Sequence, residues 1–384
     1  MSITGTWMQV VAQNWLVLRL TGAATAVGVT VALQALPSVA FGLWGGVLAD
    51  RLPKRTVCIT TQLALAFLAA VLGIATLTSG VTIAFVYCLA LALGLVMAMD
   101  APSYAALGAE LVPREILPNA IALGSIVNGL GRIIGMSLAG VLIAAIGPGM
   151  IFMLNAVSYL VVVAVLCTLP RTGVRVIARS PDDERGIGAA LRFVARTPAI
   201  LAAASIAFVV AAFGRNFQVT MAAMSKSVFG AGARGYGELS VIFAIGALFG
   251  GLVAARVRHH GVRIVIVVAG VASTLQIVSA FTPSFPTFAV AIFPIAISAV
   301  VFDTAALATV QLAAGDAHRG RVIALFTTMA MLGASAGAPT LGWLADHYGA
   351  RVALALGGSV VLCGCMLQRQ VQARYRTGCA PAGG

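Results

Sequence analysis

An acid and three bases crowd into one short stretch of an otherwise apolar sequence: GVLADRLPKR, Gly46 to Arg55, carries Asp50, Arg51, Lys54 and Arg55. A carboxylate there can rest against the positive amino end of a helix or against an arginine, and Gly46 lets another helix approach closely. Such a cluster acts as a gate, because breaking it biases a two-state element by a few kcal/mol. The plainer reading is an ordinary basic loop. Further along, Ser125, Asn128 and Arg132 recur at helical spacing with Gly124, Gly131 and Gly135, so one face carries them all. An arginine inside a membrane costs about 2.5 to 3.5 kcal/mol on insertion scales, which marks Arg132 as a contact for substrate or counter-ion, or else as a fixed clamp between helices. Gly131 and Gly135 form a GxxxG pair suited to tight helix packing.

The remaining candidates are sparse. Arg215 reads as lying nearer the outer end of its apolar run, either functional or snorkelling to the surface. Only two acids, Asp100 and Asp303, fall within or at the edge of apolar runs, both towards the cytoplasmic end, which favours a gate or helix cap over a midplane proton site. Gln9 and Gln13 share a face that either lines a cavity or bonds neighbouring helices. Enzyme chemistry has no carriers: all four histidines (His259, His260, His318, His347) fall between apolar runs, and neither a Walker A lysine nor a His-Glu-x-x-His site is present. No cofactor or metal is expected, and ATP-driven transport by this chain alone is excluded. The six cysteines follow neither a disulfide framework nor a paired CxxC site and read as small core hydrophobes.

The elements that hold these residues are membrane helices. The 384 residues are 60% hydrophobic and 9% charged, with a mean hydropathy of +1.03, which requires lipid as solvent. The apolar runs are long enough for a core of about 30 Å and lack the alternation of a barrel. Spans are predicted at 2–19, 24–49, 56–79, 81–106, 119–146 and 150–169, then 199–221, 236–256, 262–282, 284–308, 321–345 and 350–369. The fold class is therefore all-α and integral to the membrane, twelve transmembrane helices in two six-helix halves. The predicted divisions are an amino-terminal half over 1–170, a cytoplasmic linker over 171–198, a carboxy-terminal half over 199–369 and a cytoplasmic tail over 370–384. The linker reads as solvated, with a short amphipathic helix at the lipid surface as the alternative. No cleavable signal peptide is evident at the start.

With both termini in the cytoplasm, 18 of the 24 Lys and Arg residues fall on the cytoplasmic side, as the positive-inside rule demands. The net charge of +13 is thus mainly a topology signal, and nucleic acid is not an expected partner. The halves also repeat. LWGGVLADR (Leu43 to Arg51) aligns with LFGGLVAAR (Leu248 to Arg256), AIAL (Ala120 to Leu123) with VIAL (Val322 to Leu325), and Gly135, Gly140 and Gly147 with Gly337, Gly342 and Gly349. Asp100 falls opposite Asp303 in the same way. Transporters are commonly built from such repeats, with the substrate path between them.

The pattern G-x-x-x-D-R-x-x-[KR]-R, matched by Gly46, Asp50, Arg51, Lys54 and Arg55, resembles the signature loop of the major facilitator superfamily. GTWMQVVAQNWLVLRLTG (Gly5 to Gly22), MDAPSYAALGAELVPREILPNAIAL (Met99 to Leu123) and NGLGRIIG (Asn128 to Gly135) resemble its branch of enterobactin exporters and drug:proton antiporters. The resemblance implies a monomeric secondary transporter in the cytoplasmic (inner) membrane, rocking around a central cavity. It implies efflux of a small, partly hydrophobic compound such as a drug or catecholate siderophore, in exchange for protons. The alternatives are an importer of the same fold, or a transport-inactive sensor or assembly partner. Two departures stand out. Met1 directly precedes the first matched stretch, which predicts a shortened first helix or a truncated start, and Met136 stands where this branch usually carries proline, removing that reason for a kink.

Overall fold

The computed structural model describes residues 2–51, 53–113, 116–168, 194, 197–257 and 261–378. Those residues form helices and turns, with no strand among them. Among the described residues, nine helical stretches are long and apolar enough to cross a membrane. One of these, Val127–Thr168, runs 42 residues, about 63 Å at ~1.5 Å per residue, and so holds two crossings. It breaks at Gly147 (φ 77, ψ 166), followed by Pro148. With Ser2–Thr21 and Ala24–Arg51 the total is twelve spans.

The spans are numbered here in chain order. The first four are Ser2–Thr21, Ala24–Arg51, Lys54–Leu77 and Ile83–Glu110. The fifth and sixth lie on either side of Gly147, and the seventh is Pro198–Val228. The eighth and ninth are Gly232–Arg256 and Val262–Ala280. The tenth and eleventh, Phe285–Ala314 and Val322–Tyr348, belong to one helical stretch, and the twelfth is Ala350–Gly378.

Local chemistry sets the ends. Thr82 caps the fourth span by accepting a hydrogen bond from the Phe85 N–H at 3.3 Å, and Ser284 with Thr287 forms a capping box at the tenth. The repeat seen in sequence is repeated in backbone: Gly349 turns the chain between spans eleven and twelve at φ 93, as Gly147 does at φ 77. Both lie in the left-handed region that a side chain disfavours.

Without water in the lipid core, every backbone group must bond within its own helix, so association rests on close packing by small residues. Gly94 of the fourth span lies against the Gln34 carbonyl of the second. Between the halves, Gly140 of the fifth span abuts Gly237 of the eighth, and Gly28 of the second abuts the Ala338 backbone of the eleventh. A side chain at any of these positions would force the helices apart.

Several boundaries differ from the sequence reading, three of them with consequences for the candidate residues or the divisions of the chain. The second helix runs on to Arg51, and Pro53 precedes the third, so Asp50 and Arg51 belong to a helix end rather than to a loop. The twelfth helix continues to Gly378, past 369, where polar sequence replaces apolar but nothing breaks the helix. The seventh span extends to Val228 instead of stopping at 221, for reasons that define the site below. Nearly all of the linker, 171–193 and 195–196, lies outside the described residues.

Candidate functional site

The seventh span is broken near its own midpoint. Its helix Pro198–Val209 widens into a π-turn, Val210–Gly214, passes through Arg215 and Asn216 with non-helical angles, and resumes as Phe217–Ala223 before a second π-turn, Met224–Val228. Such turns leave carbonyls without their usual donors, and lipid supplies none. Asn216 Nδ2 donates to the carbonyls of Ala212 (2.6 Å) and Ala211 (3.1 Å). Gln276 Nε2, from the ninth span, donates to the Phe213 and Leu354 carbonyls, each at 3.2 Å. Three carbonyls of the break, those of Ala211, Ala212 and Phe213, thus have side-chain donors.

Arg215 projects from this break. Its Nη1 lies 2.6 Å from Asp303 Oδ1 of the tenth span, and the two side chains are 41% and 40% exposed. Ions two-fifths exposed near the centre of a helix bundle must face a cavity and not lipid. This corrects two sequence expectations. Arg215 is not at the outer end of its span, because the span is longer than its hydropathy indicated. Asp303 is not simply a residue of the cytoplasmic end, since it pairs with a mid-span cation.

Arg132 comes from the other half. Its guanidinium carbon stands 5.8 Å from the centre of the Trp7 ring, and it lies within Coulombic range of both Arg215 and Asp303. Among the described residues it has no hydrogen bond or ion pair. A cation–π contact recovers about 0.5 to 2 kcal/mol, against an insertion cost of about 2.5 to 3.5 kcal/mol. Arg132 is therefore left with an electrostatic deficit that a ligand or water must cover. Gly131 and Gly135, on the same face, let the first span close in: a Cβ at Gly131 would stand 2.8 Å from Ile3 Cγ2, and one at Gly135 2.9 Å from Trp7 Cβ. This close approach brings Trp7 to Arg132.

The other predicted residues divide clearly. Gln9 accepts from Asn155 Nδ2 at 2.7 Å, and Asn155 Oδ1 accepts from Ser158 Oγ at 2.9 Å, so Gln9 ties the first span to the sixth. Gln13 is buried and Asn128 exposed. Asp100 is buried and accepts from Thr61 Oγ1 at 2.6 Å and Gln62 Nε2 at 3.1 and 3.2 Å, inside the first half and away from the Arg215–Asp303 pair. Arg55 donates to the carbonyls of Leu166 and Cys167, each at 2.8 Å, which caps the end of the sixth span. The side chains of Asp50 and Arg51, the environment of Gly46, and the side chain of Ser125 lie outside the described set; Lys54 begins the third helix.

Sequence reasoning missed the contacts that join the halves. Asp346, beyond the predicted end of the eleventh span, is in its last helical turn. Its Oδ1 accepts from the Ala24 N–H at 2.7 Å, and its Oδ2 from Thr25 N–H at 2.8 Å and Thr25 Oγ1 at 2.5 Å. A carboxylate from one half thus caps the amino end of the second span in the other, where the helix dipole favours an anion. Lys226 Nζ meanwhile donates to the Leu18 carbonyl at 2.9 Å, near the carboxyl end of the first span, where the dipole favours a cation. The second half grips the Gly22 hairpin by both helix ends. Asn14 Nδ2 adds a bond to Gln218 Oε1 at 3.1 Å. Among the described residues, the side-chain hydrogen bonds joining the halves all lie on the Gly22 side of the Arg215–Asp303 pair. The molecule is closed on that face.

Comparison with known proteins bears on this architecture. A family model described as transmembrane secretion effector, within the major facilitator superfamily, matches residues 1–378. The chain belongs to that family. It is 26% identical over 174 residues to the uncharacterized MFS-type transporter YfiS of Bacillus subtilis (strain 168), covering 44% of this chain and 40% of that one. It is 25% identical over 167 residues to the staphyloferrin A transporter of Staphylococcus aureus (strain NCTC 8325 / PS 47), covering 43% and 42%. The matches thus span about two-fifths of the length of these relatives. The fold resembles nucleoside transporter NupG, with a TM-score of 0.75 at 15% identity over 96% of this chain and 97% of that one. It also resembles a bacterial homolog of the human lysosomal transporter Spinster in an inward-facing, unoccupied conformation, with a TM-score of 0.67 at 16% identity over 97% and 93%.

Membership places this chain among the multi-pass membrane proteins of the major facilitator superfamily. Within the family's two-halved fold, Arg132, Arg215 and Asp303 are the charged side chains that the described structure brings together from opposite halves.

Proposed function

We propose that this chain exports a small amphipathic compound from the cytoplasm in exchange for protons, by alternating access around a cavity bearing Arg132, Arg215 and Asp303. The single observation that carries this reading is the half-exposed Arg215–Asp303 ion pair at a mid-span helix break, with Arg132 facing it from the other half. Substrate sites in such folds lie at discontinuous helices near the midplane, between the repeats. Asp303 is the one acid among the described residues that is both exposed to this cavity and paired with a cation. It can exchange a proton for its bond to Arg215. The family's description as a secretion effector supports the outward direction.

The protein works as a monomer in the inner membrane with both termini cytoplasmic, and the closed Gly22 face is then the outer one. Gly46, Asp50, Arg51, Lys54 and Arg55 form the cytoplasmic gate, with Arg55 as its fixed anchor on the sixth span.

The test is flux through purified protein in vesicles, for a panel of dyes, antibiotics and catecholates, with and without an imposed proton gradient. Flux out of the cytoplasmic side that rises with the gradient is the expected result. Gradient-independent flux would remove the proton from the mechanism, flux in the opposite sense would make the protein an importer, and absence of flux for the whole panel would favour a sensor.

A further inference from the structure

We infer that the compound this transporter carries is an organic oxyanion, a carboxylate or phosphate on an apolar body, selected by Arg132. The inference rests on the transport reading above but draws on separate observations. The described cavity charges are two cations, Arg132 and Arg215, and one anion, Asp303, so the site is positive by one charge. Asp303 offers its Oδ1 to Arg215, in a single contact rather than a bidentate one. Its one hydrogen-bonded contact is to the cation of its own half, and it reaches Arg132 only through space. Among the described residues, the one direct contact of the Arg132 guanidinium is the face of Trp7, with Asp303 acting on it at longer range. Of its five N–H donors, none bonds to protein among the described residues.

Two guanidinium groups in opposite halves, within Coulombic range of each other, repel in a low-dielectric cavity. An oxyanion placed between them reverses that repulsion, and the planar fork of each arginine matches its two oxygens. A neutral compound would leave the unpaired charge in place, and a cation would add to it. Trp7 beside Arg132 provides an apolar plate for the rest of the molecule, and the exposed Asn128, one helical turn away on the same face, adds a polar contact. The anion also closes the cavity, because both halves hold it.

The test uses the full chain in detergent with three probes built on one fluorescent core: dansylglycine (carboxylate), dansylglycinamide (neutral) and dansylcadaverine (cation). Binding is read by fluorescence polarisation. The carboxylate is expected to bind about tenfold or more tighter than the amide, the effect of one charge-assisted bonded pair, and the cation weakest of all. Arg132→Gln should erase the carboxylate's advantage, while Arg132→Lys retains part of it. If Arg132→Gln does not elute as a folded monomer, the ranking of the three probes on the native chain decides alone. Equal or tighter binding of the amide or cation, or binding of none, overturns the inference, as does an undiminished carboxylate preference in Arg132→Gln. Flux measured on the same probes separates the two readings. Carboxylate-selective binding without flux counts against transport but not against the anion site; flux of amide and cation but not carboxylate counts the other way.

Discussion

Replacing Asp346 with asparagine tests whether the grip on the Gly22 hairpin holds the two halves together. In the native chain one carboxylate receives three hydrogen bonds from Ala24 and Thr25, at 2.7, 2.8 and 2.5 Å. The amide keeps one oxygen for the Ala24 N–H but turns an NH₂ group towards the Thr25 N–H, donor against donor. Losing a helix cap costs about 0.5 to 2 kcal/mol, and losing the charge at the helix end about 0.3 to 1 kcal/mol. Asp346 is exposed, so water and salt take back part of this, and about 1 to 2 kcal/mol is a fair net figure. Because the cap and the helix belong to different halves, the loss falls on the state closed at this face. The closed-to-open ratio should drop by about 5- to 30-fold. Hydrogen exchange in lipid nanodiscs measures it. Exchange should rise in peptides covering 22–31, and also in those covering 135–145 and 232–242, where Gly140 meets Gly237 far from the substituted residue. A rise confined to 22–31 would mean that Asp346 caps a helix without latching the halves, and the reasoning would fail.

Three further substitutions probe the rest. Asp303→Asn leaves Arg215 without its ion-pair partner; as an amide cannot exchange a proton, flux should lose its dependence on the proton gradient while substrate counterflow continues, and retained dependence would place the coupling elsewhere. Since the pair is two-fifths exposed, the stability loss should stay at about 1 to 2 kcal/mol, well below that of a fully buried pair. Asn216→Ala orphans the carbonyls of Ala211 and Ala212 at about 1 to 3 kcal/mol for a lost buried partner, which should lower the melting temperature in detergent; no change would mean that water already serves those carbonyls. Asp50→Asn should cut transport with membrane insertion intact, and normal flux in that variant would refute the gate assignment.

Much of the fold was legible because lipid imposes simple rules. Apolar length gave the spans, and the alignment of Gly147 with Gly349 anticipated two turns that share a left-handed backbone. The site was legible only in its pieces. Arg132 stood out because a cation in an apolar run has no bland explanation, yet nothing in the sequence pointed to its neighbours. The seventh span was read too short, stopping at 221, because Ser225, Lys226 and Ser227 end its apolar run; only the folded chain shows that π-turns carry it onward, with Gln276 of another span supplying donors. Gln9 read equally as a cavity residue or as a bond between helices; the second holds, with a partner, Asn155, 146 positions away and beyond any local pattern. Asp346 was passed over for the same reason, its partner Thr25 being 321 positions distant.

Where the polar bonds sit explains how such a molecule can move. Inside the first half, Gln9 bonds Asn155 and Asp100 bonds Thr61 and Gln62, all of them buried. Breaking any of these leaves a polar group without a partner in a medium that offers none, at about 1 to 3 kcal/mol each. Between the halves the strongest bonds, those of Asp346 to Thr25, are exposed, so water can replace each as it breaks. Elsewhere on that face glycine meets backbone, Gly140 on Gly237 and Gly28 on Ala338, which leaves no polar group behind when it separates, so among the described residues the further bonds that opening must break there are few, Lys226 to Leu18 and Asn14 to Gln218. Each half is therefore stiff and the seam between them is cheap to open, as rigid-body rocking requires. On the inferred anion mechanism the cavity charges decide when opening happens: Arg132 and Arg215, repelling across the seam, resist closure of the empty site, and a bound anion removes that resistance.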